Sequence, residues 1–345
     1  MLRQTPIHCP DAGAPPSPHL RARPAVLDPA FDDPDAVLEL VRREGPYQHL
    51  SGLYRSAASD YETAGRLALF RAFWAADEIL TLERAAPLFR NPRFVAAAQA
   101  SFAAEIVRPL ALIVNLTAPM PAGAAHTDNP YFRGASAPRF SFLRGCMGAS
   151  GLFRRWEVLT ASVLTWFYAG PGGGFDYWAD GPDAPPSTHA EPLWNVGLIA
   201  DNEYMLHRVG AVGDPADYPP PEALTASSVL VRTPSGWEIR DADGTPRAAY
   251  ADRQVRLSLL WKALVFETAE AERLFEDHSD DLTLERIVEV FRADLAQKGV
   301  AAPAPDDPLT DPAWMATLRR RYPIPTLTPK AAHEITDGRT RDAKN

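Results

Sequence analysis

Three side chains carry the types and the order of a metal-binding set: His126 and Asp128 in His126-Thr127-Asp128, and His207 in Met205-Leu206-His207-Arg208-Val209. Two imidazoles and one carboxylate hold non-haem Fe(II) on one face and leave the remaining positions open for substrate and oxygen. In extended chain, side chains two apart point the same way, so His126 and Asp128 reach one ion together. Pro121 and Gly123 before the pair, and Pro130 after it, put it at the mouth of a strand. His207 lies far enough downstream to sit on a different strand, in a run that reads as buried. Plainer readings exist for the same residues: a surface His–Asp hydrogen bond, and a core histidine bonded to backbone. Of the other histidines, His189, in a Pro/Ser/Thr loop, is the rival ligand.

A second feature is an arginine inside an apolar run, Val255-Arg256-Leu257-Ser258-Leu259-Leu260-Trp261. Strand alternation puts Arg256, Ser258 and Leu260 on one face and Val255, Leu257 and Leu259 on the other. A charge in such a strand is expensive unless it is paired. A carboxylate cosubstrate would pair it through two parallel hydrogen bonds, with Ser258 adding a hydroxyl. An ion pair with one of the 44 acidic residues is the alternative. Arg232, in Val229-Leu230-Val231-Arg232, is a rival anchor.

These residues need a scaffold. The first third reads as helical, over residues 34–41, 60–78 (with Asp60 as N-cap) and 92–107. From about residue 109 short β-rich runs alternate with Gly, Pro, Asn and Asp, the pattern of a sandwich or barrel. Runs at 110–116, 158–168, 194–199 and 204–212 are followed by a hairpin at 229–239 and a last strong strand at 256–266. Residues 282–299 form a closing helix, capped by Thr283 or an Asp before it and ended by Gly299; its apolar face either packs on the strands or makes a homodimer interface. Proline, 34 in all, is dense in the first 35 residues and after residue 301, so the expected organisation is an extended arm (1–35), one catalytic domain (36–300) and a Pro-rich tail (301–345) with a short helix near Trp314.

The 345 residues are 46% apolar and 23% charged, enough for a large core. A net charge of −9 without a Lys/Arg block disfavours nucleic acid. Two cysteines, Cys9 and Cys146, cannot build a disulfide framework, so free thiols in the cytoplasm are expected. Neither a signal peptide nor a membrane span is expected.

Taken together, the order of parts resembles the Fe(II)/2-oxoglutarate-dependent dioxygenase superfamily, of the phytanoyl-CoA hydroxylase and prolyl hydroxylase type. The resemblance covers roughly residues 110–266. It implies an α+β fold, with a double-stranded β-helix (jelly-roll, cupin-like) core and flanking N- and C-terminal helices. It implies His126, Asp128 and His207 as Fe(II) ligands, Arg256 and Ser258 as the 2-oxoglutarate anchor, and O2 as co-reactant. One departure is the interval from His207 to Arg256, longer than in many members, with Pro219–Pro221 and the hairpin reading as an insertion. Asp128 occupies the position that family halogenases leave to halide, so hydroxylation or a related oxidation of an unactivated C–H is implied, with succinate and CO2 as co-products. Arg133, Trp166, Tyr168 and Asn115 are the candidate walls of a pocket for a small, partly apolar substrate; the plainer reading of the two aromatics is core, since strand aromatics usually pack inside. Two other classes stay open: a cupin-like metalloenzyme without 2-oxoglutarate, and a non-catalytic β-sandwich binding module.

Overall fold

The longest strands form where apolar and β-branched residues are densest. β5 (Ile106–Thr117) and β16 (Arg256–Phe266) pair antiparallel along their whole length, Arg256 opposite Thr117 and Phe266 opposite Ile106. The computed structural model describes residues 20–53, 67–190 and 192–327. Ahead of β5 lie β1 (Ala25–Leu27), β2 (Tyr47–His49), β3 (Leu69–Ala76) and β4 (Ile79–Leu80). Between β5 and β16 come β6 (Ala125–His126), β7 (Tyr131–Phe132), β8 (Glu157–Phe167), β9 (Phe175–Trp178), β10 (Ser187–His189), β11 (Trp194–Ala200), β12 (Leu206–Val209), β13 (Val229–Thr233), β14 (Gly236–Arg240) and β15 (Pro246–Tyr250). β17 (Thr326–Leu327) closes the series.

The strands form two antiparallel sheets. The larger runs β1-β11-β8-β16-β5-β3-β2-β13-β14-β15, and the smaller runs β10-β9-β12-β6-β17. From β5 to β16 the chain passes repeatedly between them. β5, β8, β11 and β16 are adjacent in the large sheet, while β6, β9, β10 and β12 are adjacent in the small one. Helices Pro34–Arg43 and Pro92–Phe102 cover the outer face of the large sheet. There Leu257, Leu259 and Trp261 are buried; the Trp261 ring meets Phe94 edge-on and its Nε1 donates to the Phe89 carbonyl. Alternation therefore turns Arg256, Ser258, Leu260 and Lys262 toward the inner face.

A second core joins helices Ser141–Ser150, Leu284–Gln297 and Pro312–Arg321 to Phe132, Phe153 and Trp156. Ile287, Val288, Phe291 and Leu295 are buried in it, so the apolar face of the closing helix is covered by its own chain. Thr283 caps that helix, accepting from the Arg286 N–H, and Gly299 follows it with φ +70°. The helix around Trp314 starts at Pro312 under an Asp311 cap.

Two expected helices are corrected. Residues 69–76 are strand β3, paired with β2 and β5, because a register in β5 offers Leu69–Phe73 a complete ladder that local spacing does not reveal; Asp60 lies outside the described residues. The Ala-rich helix stops at Phe102, where Ala103 turns left-handed at φ +52°, and Ile106 already belongs to β5. The described part of the arm, from Leu20, is extended and adds β1 to the edge of β11, with Ala30 and Phe31 buried. The segment expected as an insertion is a three-strand meander, β13 to β15, continuing the large sheet beyond β2. Cys146 is a buried free thiol, and Cys9 lies outside the described residues.

Candidate metal centre

His126 and His207 face each other across the β6–β12 ladder. Directly opposed residues project to the same side of a sheet, and here the ring centroids are 4.6 Å apart. Asp128 lies two residues beyond His126, in a loop pinned by its own N–H donating to the Asn202 carbonyl at 2.8 Å. One ligand atom from each of the three residues falls within 4.8 Å of the others, with Asp128 Oδ1 at 4.0 Å from His207 Nε2. Donors bonded at ~2.1 Å to one ion stand roughly 3–3.5 Å apart, so small side-chain rotations complete a site. His207 is buried, Asp128 half-buried and His126 exposed, which leaves one side of the group open.

Backbone fixes the tautomers. The Nδ1 of His126 meets the Ala124 carbonyl at 3.0 Å, and that of His207 meets the Met205 carbonyl at 2.9 Å. A carbonyl only accepts, so both Nδ1 atoms carry the proton and both Nε2 lone pairs are free for a metal. Burial, and then the neighbouring His126, push His207 down to about 4, which keeps the imidazole neutral.

A cation beside the carboxylate escaped the sequence reading. Lys262 Nζ sits 2.7 Å from Asp128 Oδ2 and 2.6 Å from Glu203 Oε1. Burial alone would lower the ammonium, but the two carboxylates outweigh it and hold Lys262 above its ordinary value. Asp128 is held well below the usual carboxylate range: its desolvation is overcome chiefly by the charge of Lys262 and the hydrogen bond from it. Glu203 is raised, by burial first and by the charge of Asp128. The only sequence signal for Lys262 was its parity with Arg256 on an apolar strand.

Arg256 is 1% exposed. Its Nε donates to the Gly173 carbonyl at 2.7 Å, and its Nη2 has no hydrogen-bond partner among the described residues. No carboxylate among the described residues pairs with it, so the intramolecular ion pair weighed as the alternative is not formed among them. Burial lowers the guanidinium to about 10. The guanidinium lies 6.0 Å from the centroid of Trp166, whose Nε1 is likewise buried without a partner. Ser258, buried, sits opposite both Trp166 and Asn115 in the ladder. Tyr168 donates its hydroxyl to the Pro171 carbonyl and packs on Gly173. The rival Arg232 is spent on the Thr233 and Gly236 carbonyls and on Asp252 in the meander.

The other candidates separate. Trp166 and Tyr168 flank Arg256, so they wall the arginine end of the interior. Asn115 accepts from Arg71 Nε at 2.7 Å. Arg133 is brought elsewhere: it donates to the Arg155 carbonyl and faces Asp280 and Asp281 beside the helical core, where burial makes it a structural cation. His189 stacks on Trp166 at 5.1 Å and is outside the three-residue group. Cavities of about 510 and 240 Å³ adjoin Tyr168 and Trp194; the smaller, lined by Leu116, Phe167 and Leu257, lies on the outer face. Among the described residues no helix is long and apolar enough to cross a membrane.

No protein-family model and no curated protein matches this sequence. Solved structures do. An oxidoreductase of the 2OG-Fe(II) oxygenase family from Burkholderia pseudomallei is 14% identical, covers 70% of this chain and 85% of its own, and superposes with a TM-score of 0.39. The non-heme alpha ketoglutarate dependent epimerase SnoN of nogalamycin biosynthesis is 13% identical over 77% of this chain and 92% of its own, with a TM-score of 0.38. HygX from Streptomyces hygroscopicus, with nickel, 2-oxoglutarate and hygromycin B bound, is 11% identical over 73% and 90%, with a TM-score of 0.35. At TM-scores below 0.5 these likenesses establish neither fold nor activity, and the functional assignment rests on the side chains of the site.

Proposed function

We propose that this protein is a non-haem Fe(II)- and 2-oxoglutarate-dependent oxygenase that oxidises an unactivated C–H of a small, partly apolar molecule, hydroxylation being the simplest outcome. One observation carries the reading: a two-histidine, one-carboxylate group and a buried guanidinium with an unpartnered nitrogen share the interior of one pair of sheets. A buried charge without a counter-ion is costly, and a bound carboxylate supplies one. The order of strands supports a double-stranded β-helix, since β5, β8, β11 and β16 share one sheet and β6, β9, β10 and β12 the other, and the two meet where Trp166 of β8 packs on Phe175 of β9.

In this reading His126 and His207 offer Nε2 and Asp128 offers Oδ1 to Fe(II). Arg256, with Ser258 beside it, holds the distal carboxylate of 2-oxoglutarate. Fe(II) with 2-oxoglutarate and O2 supplies an oxidant for strong C–H bonds, releasing succinate and CO2. The protein's own share is to orient the ligands through the Ala124 and Met205 carbonyls and to keep water from the buried end, where Trp166, Phe175 and His207 pack together. A metalloenzyme without 2-oxoglutarate leaves unexplained why Arg256 is buried with no carboxylate partner among the described residues.

The test is an anaerobic titration of the metal-free protein with Fe(II) and then 2-oxoglutarate. Chelation to a facial iron gives a weak charge-transfer band at roughly 500 nm. The band should appear in the wild type and vanish in His207→Ala. Iron binding without the band refutes the cosubstrate assignment, and no iron binding refutes the metal centre.

A further inference from the structure

We infer that Lys262 is a positioning residue that fixes how Asp128 binds the metal. This rests on the metal-centre reading above. The two oxygens of Asp128 stand in different surroundings: Oδ1 turns to His207 Nε2, and Oδ2 is taken by the Lys262 ammonium at 2.7 Å. A carboxylate with one oxygen held by an ammonium offers a metal only the other. Lys262 thereby enforces one-oxygen ligation and keeps a further coordination position free for the bidentate cosubstrate or for oxygen.

The clamp has a second arm. Glu203 holds Lys262 Nζ from the opposite side, and Glu203 belongs to the β11–β12 loop whose Asn202 carbonyl accepts the Asp128 N–H. One loop therefore sets Asp128 twice, through its backbone directly and through its carboxylate by way of Lys262. β16 carries both the arginine proposed to hold the cosubstrate and the lysine that orients a metal ligand, on the same face. Losing outer partners of this kind costs roughly 10–100-fold in metal affinity or in activity, and here the loss falls on the cosubstrate position rather than on metal affinity.

The experiment uses Co(II), whose visible absorption reports coordination number, in wild type, Lys262→Met and Lys262→Met/Glu203→Gln. The double variant removes the stranded Glu203 charge, so a folding defect in the single variant does not decide the outcome. Both variants should bind Co(II) within a few-fold of wild type. Their spectra should shift toward higher coordination, with Asp128 chelating through both oxygens, and 2-oxoglutarate should bind about tenfold more weakly as it competes for the position lost. An unchanged Co(II) spectrum and unchanged 2-oxoglutarate affinity in the double variant overturn the inference while leaving the metal centre standing. Recovery of both in the double variant also overturns it, because the single-variant effect then belongs to the unpaired glutamate. Failure of the wild type to bind Co(II) overturns the metal centre and the inference together.

Discussion

Replacing Arg256 with methionine should move stability and cosubstrate binding in opposite directions. In the ligand-free protein the guanidinium is buried and lowered from 12.5 to about 10 by desolvation. At ~1.4 kcal/mol per unit, this corresponds to roughly 3 kcal/mol of strain in keeping it charged. Methionine has a similar reach and no charge, so most of that strain is released. Against it stands the lost bond from Nε to the Gly173 carbonyl, worth about 1–2 kcal/mol. The balance is a gain of about 1–2 kcal/mol for the ligand-free protein, or a rise of roughly 2–4 °C in Tm for a chain of this size. Binding responds the other way. Losing charge-assisted hydrogen bonds to the distal carboxylate removes about 3 kcal/mol, a roughly 100-fold weaker Kd. The assay is a thermal melt of both proteins with and without 2-oxoglutarate under anaerobic Fe(II). Wild type should gain Tm with ligand, and Arg256→Met should start higher and gain little. A variant that melts several degrees lower without ligand, yet is still stabilised by 2-oxoglutarate, refutes the reasoning: Arg256 would then be a structural cation.

Two further outcomes derive from the same geometry. Gly173 has φ +73°, and a Cβ there would meet the Tyr168 ring at 2.8 Å and Arg256 Cδ at 3.1 Å, so Gly173→Ala should cost about 1–3 kcal/mol of stability and displace Arg256, weakening 2-oxoglutarate binding without changing Co(II) affinity; equal loss of both in titrations contradicts this. Asp201 is buried and its carboxyl is pushed up to about 8, first by burial and then by Glu203; the folded state thus binds a proton that the unfolded state releases above about 4, and stability falls as pH rises from 4 to 8. Asp201→Asn should flatten that fall by a few kcal/mol while keeping an acceptor for the Arg21 N–H, and identical pH–Tm profiles for the two proteins would count against the burial argument.

Much of the site was legible because its chemistry is written in residue types. His126, Asp128 and His207 stand together as expected, and the parity of β16 turned Arg256 and Ser258 to the same side. Lys262 was not picked out. A lysine in a strand has many uses, and only the packing of β16 against the two loops that carry Asp128 and Glu203 brings it to Asp128. Arg133 went elsewhere for the mirror reason: nearness to His126 and Asp128 in sequence did not survive the pairing of β7 with β8, which sets Arg133 beside Trp156 and facing Asp280 and Asp281. The helix expected over 60–78 failed where an apolar run satisfied both periodicities, and β5 supplied the ladder that chose strand.

The sequence by itself determined which groups are available: two histidines and a carboxylate of metal-binding type, an arginine on an apolar strand, and a helix cap at Thr283. Those follow from side-chain chemistry and from periods of two and of three to four residues, both local properties. The tertiary structure alone decided that Arg256 is buried with no carboxylate partner among the described residues, which oxygen of Asp128 Lys262 takes, and that the apolar face of the closing helix is covered. Each of these depends on what a distant segment brings within hydrogen-bond reach, and contacts between distant segments leave no period in a single chain.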